Sequence, residues 1–371
     1  MLIGGSWLLM QLVLVFYLGI NTQEESIKYI ELANRWLQGD RNFNWNQFFY
    51  TGYISIHVIV RWMGLPVKSM YFIQLICSGL SLYYFVNIIR LFIWNKTAII
   101  GAGILYATCF FIQQWVSALF TDSIFCSLLI ISLYFLLTEE SSPRNKFLCW
   151  FLLLILPVFR PIGFLFLLLA AIYWIFISGK RNLGKPVICF IYILLITLFI
   201  KRSLVENPAY FYPYHNREAN IICGYPSGLL AYRQVPYREG MSIFSYFSAN
   251  PGMTFRLFFY RFVKIFSMTR DYFSPVHNAL LAGISILYFV LAIAGMITGW
   301  IRNKRFLIFL ICGILLFSVP SVVFCQDWSG RFSLPVFCLI LILSSFGMAG
   351  FLDFRRSSNP SPPAPYDAVQ P

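Results

Sequence analysis

Residues 47–64, Gln47-Phe48-Phe49-Tyr50-Thr51-Gly52-Tyr53-Ile54-Ser55-Ile56-His57-Val58-Ile59-Val60-Arg61-Trp62-Met63-Gly64, decide how the whole chain is laid out. The segment is apolar, yet His57 and Arg61 interrupt it. Charge parity settles whether it crosses a membrane. If it lies on the surface, one side receives Arg90, Lys96, Arg144, Lys146, Lys180, Arg181, Lys185, Arg302, Lys304, Arg305, Arg355 and Arg356. The short turns of the opposite side then hold only Arg160 and Arg331. Such a bias in short loops marks the cytoplasmic side. If 47–64 crossed, every later loop would change sides and the bias would fail. The segment is therefore expected as an amphipathic helix in the interface, with both termini cytoplasmic.

The composition supports a membrane protein. Hydrophobic residues make up 59% of the 371 residues, 39 are Phe, and mean hydropathy is +0.72. A soluble domain of this length is usually closer to half apolar. The net charge of +14, from 28 basic and 14 acidic residues, suits cytoplasmic anchoring loops or pockets for anionic lipid or phosphate. No soluble basic face is available for nucleic acid. Of the nine cysteines, Cys77, Cys109, Cys126, Cys149, Cys189, Cys312 and Cys338 fall in apolar spans, where a thiol behaves as a small hydrophobe. Only Cys223 and Cys325 lie elsewhere and could pair. His57, His215 and His277 share no ligand spacing, so no metal is expected. The N-terminus lacks a basic leader and a small-residue cleavage site and reads as a retained first helix.

About ten apolar spans follow, at 5–20, 69–89, 97–117, 122–138, 146–159, 162–178, 186–200, 277–299, 306–324 and 332–351. The break at Arg160-Pro161 reads as a tight turn between two helices. The expected fold class is all-α integral membrane, a single polytopic domain over 1–356 with two outer loops. The first, 21–68, should carry surface helices at 23–38 and 47–64. The second, 201–276, should be irregular around Pro208, Pro213, Pro226 and Pro236 and helical over 252–268. Residues 357–371, rich in Pro and Ser, read as a disordered cytoplasmic tail. No phosphate-loop or dinucleotide fingerprint and no repeat occurs.

Charge is scarce enough (11%) that acids at a membrane boundary stand out. Glu24-Glu25 directly follows the first span. Thr22-Gln23-Glu24-Glu25 also fits a capping box, with Thr22 as cap and Glu25 third in the helix. In that helix Glu24, Lys28, Glu31 and Arg35 form one polar stripe, and Glu25, Tyr29, Leu32 and Trp36 a neighbouring one. Asp122, after Thr121, opens a later span, where it could serve the helix dipole alone. Arg160 and Arg331 sit in outer turns, either as interfacial anchors or as cations for a phosphate. Asp327 is four residues from Arg331, so a local ion pair is the modest reading.

These residues fall in an order that resembles the polytopic glycosyltransferases of the GT-C fold. The nearest likeness is to the protein O-mannosyltransferase and lipid A aminoarabinose transferase (glycosyltransferase family 39-like) group. The matching residues are Glu25-Ser26-Ile27-Lys28-Tyr29 with a later Gly39, then Trp62-Met63-Gly64 and Thr121-Asp122. Arg160-Pro161-Ile162-Gly163 and Gly330-Arg331-Phe332-Ser333-Leu334-Pro335 complete the series. They span residues 5–350, nearly the whole chain. The departure is Glu25 where the group usually has Asp; either the pocket is shifted, or Glu24 or Asp40 takes the role.

The resemblance implies a GT-C-like bundle in the cell (inner) membrane with its active site on the outer, periplasmic face. It also implies an inverting transfer of a sugar from a polyprenyl-phosphate donor to a hydroxyl on a glycan or lipid acceptor, without metal or other cofactor. Glu25 is then the general base, with Glu24, Lys28, Tyr29, Asp40, Asp122, Arg160, Asp327 and Arg331 lining the substrate site. An O-antigen-type polymerase is the alternative, disfavoured by the acidic motif after the first span. A transporter is disfavoured because the ionisable residues crowd one face instead of the membrane centre.

Overall fold

The computed structural model describes residues 1–40, 45–178, 183–206, 232–238, 241, 243–269, 273–323 and 328–357. Among them every regular element is a helix. Extended backbone pairs at one isolated bridge, between Asn21 and Ala118. Five helical segments are long and apolar enough to cross a membrane: Val67–Arg90, Thr121–Ser141, Pro275–Arg302, Lys304–Val323 and Gly330–Asp353. A bent pair, Lys96–Ala107 and Phe110–Val116, makes a sixth if taken as one span.

We number the main helices α1 (Leu2–Leu18), α2 (Glu25–Leu37), α3 (Thr51–Trp62), α4 (Met70–Arg90), α5 (Lys96–Ala107), α6 (Thr121–Thr138) and α7 (Pro143–Phe159). They continue with α8 (Gly163–Ile172), α9 (Gly184–Glu206), α10 (Pro251–Ile265), α11 (Pro275–Arg302), α12 (Lys304–Val323) and α13 (Leu334–Ser357). Four expected spans become α1, α7, α8 and α9. The first two have 17 residues each and reach about 26 Å, short of a ~30 Å hydrocarbon core, and none of the four is among the segments long and apolar enough to cross. The expected straight span over 97–117 is instead broken, with a bend of 47°. Thr108 N makes the last bond of the first helix, to Ile104 O at 2.9 Å, and the Tyr106 carbonyl then accepts from Cys109 N (3.3 Å) and from the Gln113 side chain (3.1 Å). A backbone group exposed by such a break needs a partner inside an apolar protein.

Segment 47–64 yields a 12-residue helix, α3, about 18 Å long and too short to cross. It turns Tyr53, Ile54, His57 and Val60 inward and leaves Ile59, Trp62 and Met63 exposed. Tyr53 meets Tyr29 of α2 edge-on at 5.1 Å. Both α2 and α3 end at glycines, through bonds from Asp40 N to Arg35 O (3.0 Å) and Leu65 N to Val60 O (3.1 Å).

Three of the five loops that charge parity groups together, those around 90–96, 302–306 and 353, also meet in space. At one end Asn95 donates to Asp353 at 3.1 Å, Arg302 pairs with Asp353, and Phe92 stacks on Phe306 at 4.0 Å. At the other end lie the chain leaving α1, the start of α6, the turn after α7 and the start of α13. Contact between α11 and α13 depends on Gly295 and Gly347, where a side chain would run into the backbone carbonyls of Leu343 and Leu291. Small residues let transmembrane helices approach this closely.

Candidate active site

The first half of the site is fixed by backbone pairing. Asn21 N donates to Ser117 O (2.9 Å), and Leu119 N donates to Asn21 O (3.0 Å). Gln74 locks the same loop from behind. Its Nε2 donates to the carbonyls of Val116 (2.9 Å) and Ala118 (2.8 Å), while its Oε1 accepts from the Tyr53 hydroxyl at 2.8 Å. The N-termini of α2 and α6 are thereby set side by side. Glu25 is the first residue of α2 and Asp122 the second of α6, so both carboxylates sit where the helix dipole favours an anion.

The expected capping box does not form. The helix starts at Glu25, and no side chain caps it. Asn21 Oδ1 accepts from Gln23 N at 2.8 Å, and Ser26 N closes a turn onto Gln23 O at 3.1 Å. That turn leaves Thr22 no role as a cap. It also forces Glu24 to φ 60 and ψ −122, the first central position of a type II′ turn, which favours glycine. Freed from capping, the Glu25 carboxylate is available to a partner outside its helix.

The second half consists of two arginines. Arg160 follows α7 in extended conformation, and its carbonyl accepts from Gly163 N at 2.9 Å. An added Cβ on Gly163 would lie 2.6 Å from the Leu156 carbonyl, so this tight Arg-Pro-x-Gly turn needs glycine. Arg331 lies in a short 3₁₀ turn, Trp328–Ser333, behind Gly330 at φ +80.

The four charges meet. Asp122 is fully buried and accepts from Arg331 through Nε (2.9 Å) and Nη2 (2.6 Å). Its other oxygen pairs with Arg160 Nη1. Arg331 Nη1 reaches Glu25 Oε2, and the Tyr29 hydroxyl donates to Glu25 Oε1 at 3.0 Å. Aromatic faces wall the arginines: Phe120 is 4.8 Å and Trp115 5.7 Å from Arg331, and Phe332 is 5.5 Å from Arg160. Glu25 is the most accessible member, with 27% of its side chain exposed against 0% for Asp122. The site opens on that side.

Lys28 stands one helical turn after Glu25, its Nζ 5.0 Å from the Tyr50 ring. Burial lowers its pKa; the neighbouring Glu25 opposes this and Arg331 adds to it. Among the described residues it makes no hydrogen bond or ion pair. Burial also pushes the Tyr29 hydroxyl well above the ordinary tyrosine range, so it stays a proton donor to Glu25.

Glu25, Lys28, Tyr29, Asp122, Arg160 and Arg331 are thus brought together. Glu24 is exposed at the turn. Asp40 lies at the far end of α2, bonded to Arg35 Nε at 2.8 Å in an exposed pair. Asp327, Cys223, Cys325 and His215 lie outside the described residues, as does the tail from 358. Arg331 is engaged by Asp122 and Glu25, far from it in sequence. Asn21, Gln74, Trp115 and Phe120 are contributors that residue-type reasoning passed over; the aromatic pair flanking the run into Thr121-Asp122 was the available signal. No group of three or more His, Cys, Asp or Glu that could hold a metal occurs among the described residues.

No family model matches the chain, and neither does any curated protein or solved structure.

Proposed function

We propose that this protein is an inverting glycosyltransferase of GT-C-like architecture, moving a sugar from a polyprenyl-phosphate donor to a hydroxyl on a glycan or lipid acceptor. The convergence of Glu25, Asp122, Arg160 and Arg331 from four distant segments carries the reading. In this reading the chain crosses the inner membrane about ten times, both termini are cytoplasmic, and the site faces the periplasm. The meeting of the loops around 90–96, 302–306 and 353 at the opposite end from the site supports that orientation.

The Glu25 carboxylate takes the proton of the acceptor hydroxyl. The acceptor oxygen attacks the anomeric carbon from the face opposite the phosphate, the bond from that carbon to the phosphate oxygen breaks, and polyprenyl phosphate leaves with the electron pair. Tyr29 on Oε1 and Arg331 on Oε2 orient the base. Asp122 holds both guanidiniums in place as the leaving charge develops.

Charge balance favours a monophosphate donor. Two carboxylates and two guanidiniums cancel, and Lys28 remains as a cation with no ion pair among the described residues. One phosphodiester charge brings the group to neutrality, whereas a diphosphate leaves an excess anion in a poorly hydrated site. The test is a transfer assay on purified protein with a panel of polyprenyl-linked sugars. Transfer from monophosphate-linked but not diphosphate-linked sugars is expected. Transfer from neither contradicts the assignment.

A further inference from the structure

Two buried polar groups beside the charge cluster have no partner among the described residues. The Trp115 indole Nε1 and the Thr121 hydroxyl are both buried, and neither has a hydrogen-bond partner among the described residues. Trp115 is 6% exposed; its ring lies 5.7 Å from the Arg331 guanidinium and 5.9 Å from Phe120. Thr121 is fully buried and adjoins Asp122. A buried donor without an acceptor lowers stability, and native structures rarely retain one without a reason.

The surroundings say what kind of acceptor is missing. An indole N–H can only donate, and so can a guanidinium, so Trp115 and Arg331 cannot satisfy each other. Both Asp122 oxygens are already taken by Arg160 and Arg331. Among the described residues no acceptor is left for the indole, and beside an arginine a bound oxyanion is the best match. We propose that Trp115 is a ligand-binding residue whose indole N–H donates to a phosphate oxygen, with the Thr121 hydroxyl as a second donor. The proposal rests on the glycosyltransferase reading for the identity of the phosphate, but its geometry stands without it.

Such a residue has a signature opposite to that of a packing residue. Trp115→Phe keeps an aromatic face toward Arg331 and removes the orphaned donor. Thr121→Val keeps the shape and removes the hydroxyl. Thermal unfolding of the full-length, ligand-free protein in detergent is measured alongside its affinities for polyprenyl phosphate and for inorganic phosphate. For Trp115→Phe the melting temperature should match or exceed that of the unaltered chain, while phosphate affinity falls about tenfold, the effect of one hydrogen bond. Thr121→Val should show the same pairing of signs with a loss of about threefold.

If both phosphates lose affinity, the head group alone is recognised; if only polyprenyl phosphate does, the lipid chain is needed to place it. Unchanged affinity in Thr121→Val and Trp115→Phe overturns the proposal, as does an unaltered chain that binds neither phosphate. Should Trp115→Phe fail to fold, the Thr121→Val affinity decides alone. Phosphate binding that depends on Trp115, in a protein that transfers no sugar, would remove the glycosyltransferase reading and leave this inference standing.

Discussion

The two ends of α6 each carry a buried carboxylate, and they solve the problem of charge in an apolar setting differently. Asp122, at the N-terminus, benefits from the helix dipole and is shared by two arginines that arrive from residues 160 and 331. Glu139 follows the C-terminus of α6, where the dipole opposes an anion. It is held by Lys185 at 2.6 Å and by the Trp174 indole, which a π-helical turn over Tyr173–Ile177 presents to it. The partners of Glu139 lie within 46 residues of it; the Asp122 cluster spans 306 residues of sequence. A local ion pair can simply anchor neighbouring helices. Joining four remote segments around one carboxylate exceeds what anchoring requires, and it leaves a partly accessible Glu25 at the opening.

Breaking each end should separate these roles. Asp122→Asn leaves two buried guanidiniums facing a neutral amide, and a loss of about 3–5 kcal/mol is expected from thermal or chemical unfolding. Glu139→Gln should cost less, about 1–3 kcal/mol, since Lys185 can turn to Glu140, already 3.7 Å away. It should leave phosphate binding unchanged. Equal losses at both ends would dissolve the distinction.

The next effect is in pH. Burial pushes His57 down to about 4, and its Nε2 has no partner among the described residues. An unfolded histidine titrates near 6.5. Between these values the unfolded chain holds the extra proton, so stability is intact above about 6.5 and is lost as pH falls toward 4, by roughly 3 kcal/mol. His57→Phe should remove that slope, as seen in melting temperatures across this window.

The smallest effect concerns Glu24. Its left-handed backbone stores strain that Glu24→Gly relieves, so a gain of about 1 kcal/mol is expected in unfolding experiments. The turn itself should survive, because Asn21 and Gln23 supply its bonds.

Hydrophobic length and composition made the all-helical membrane class readable, and the interruption of 47–64 by His57 and Arg61 foretold that it would not form a long helix. The break at Thr108-Cys109 was hidden, because no Pro or Gly marks it and the partners that hold Gln113 in place, Gln11 and Ser78, come from distant helices. At the site, scarce charges betrayed Glu25, Asp122, Arg160 and Arg331 one by one. Their pairing was not legible, since contacts between residues 25, 122 and 331 depend on how helices pack. The capping motif misled because Asn21, one residue before Thr22, closes the turn first. Asp40 carries the right chemistry in the wrong place, a full helix length from Glu25.

The most direct measurement is sugar transfer from a polyprenyl-phosphate donor by purified Glu25→Gln beside Glu24→Gln. The glutamine amide keeps the size of the side chain and removes the base. Glu25→Gln should lose activity by at least about 100-fold with the fold intact, and Glu24→Gln should stay near the unaltered rate. Full activity in Glu25→Gln would contradict the assignment of Glu25 as the base; retention in both variants would end the carboxylate mechanism.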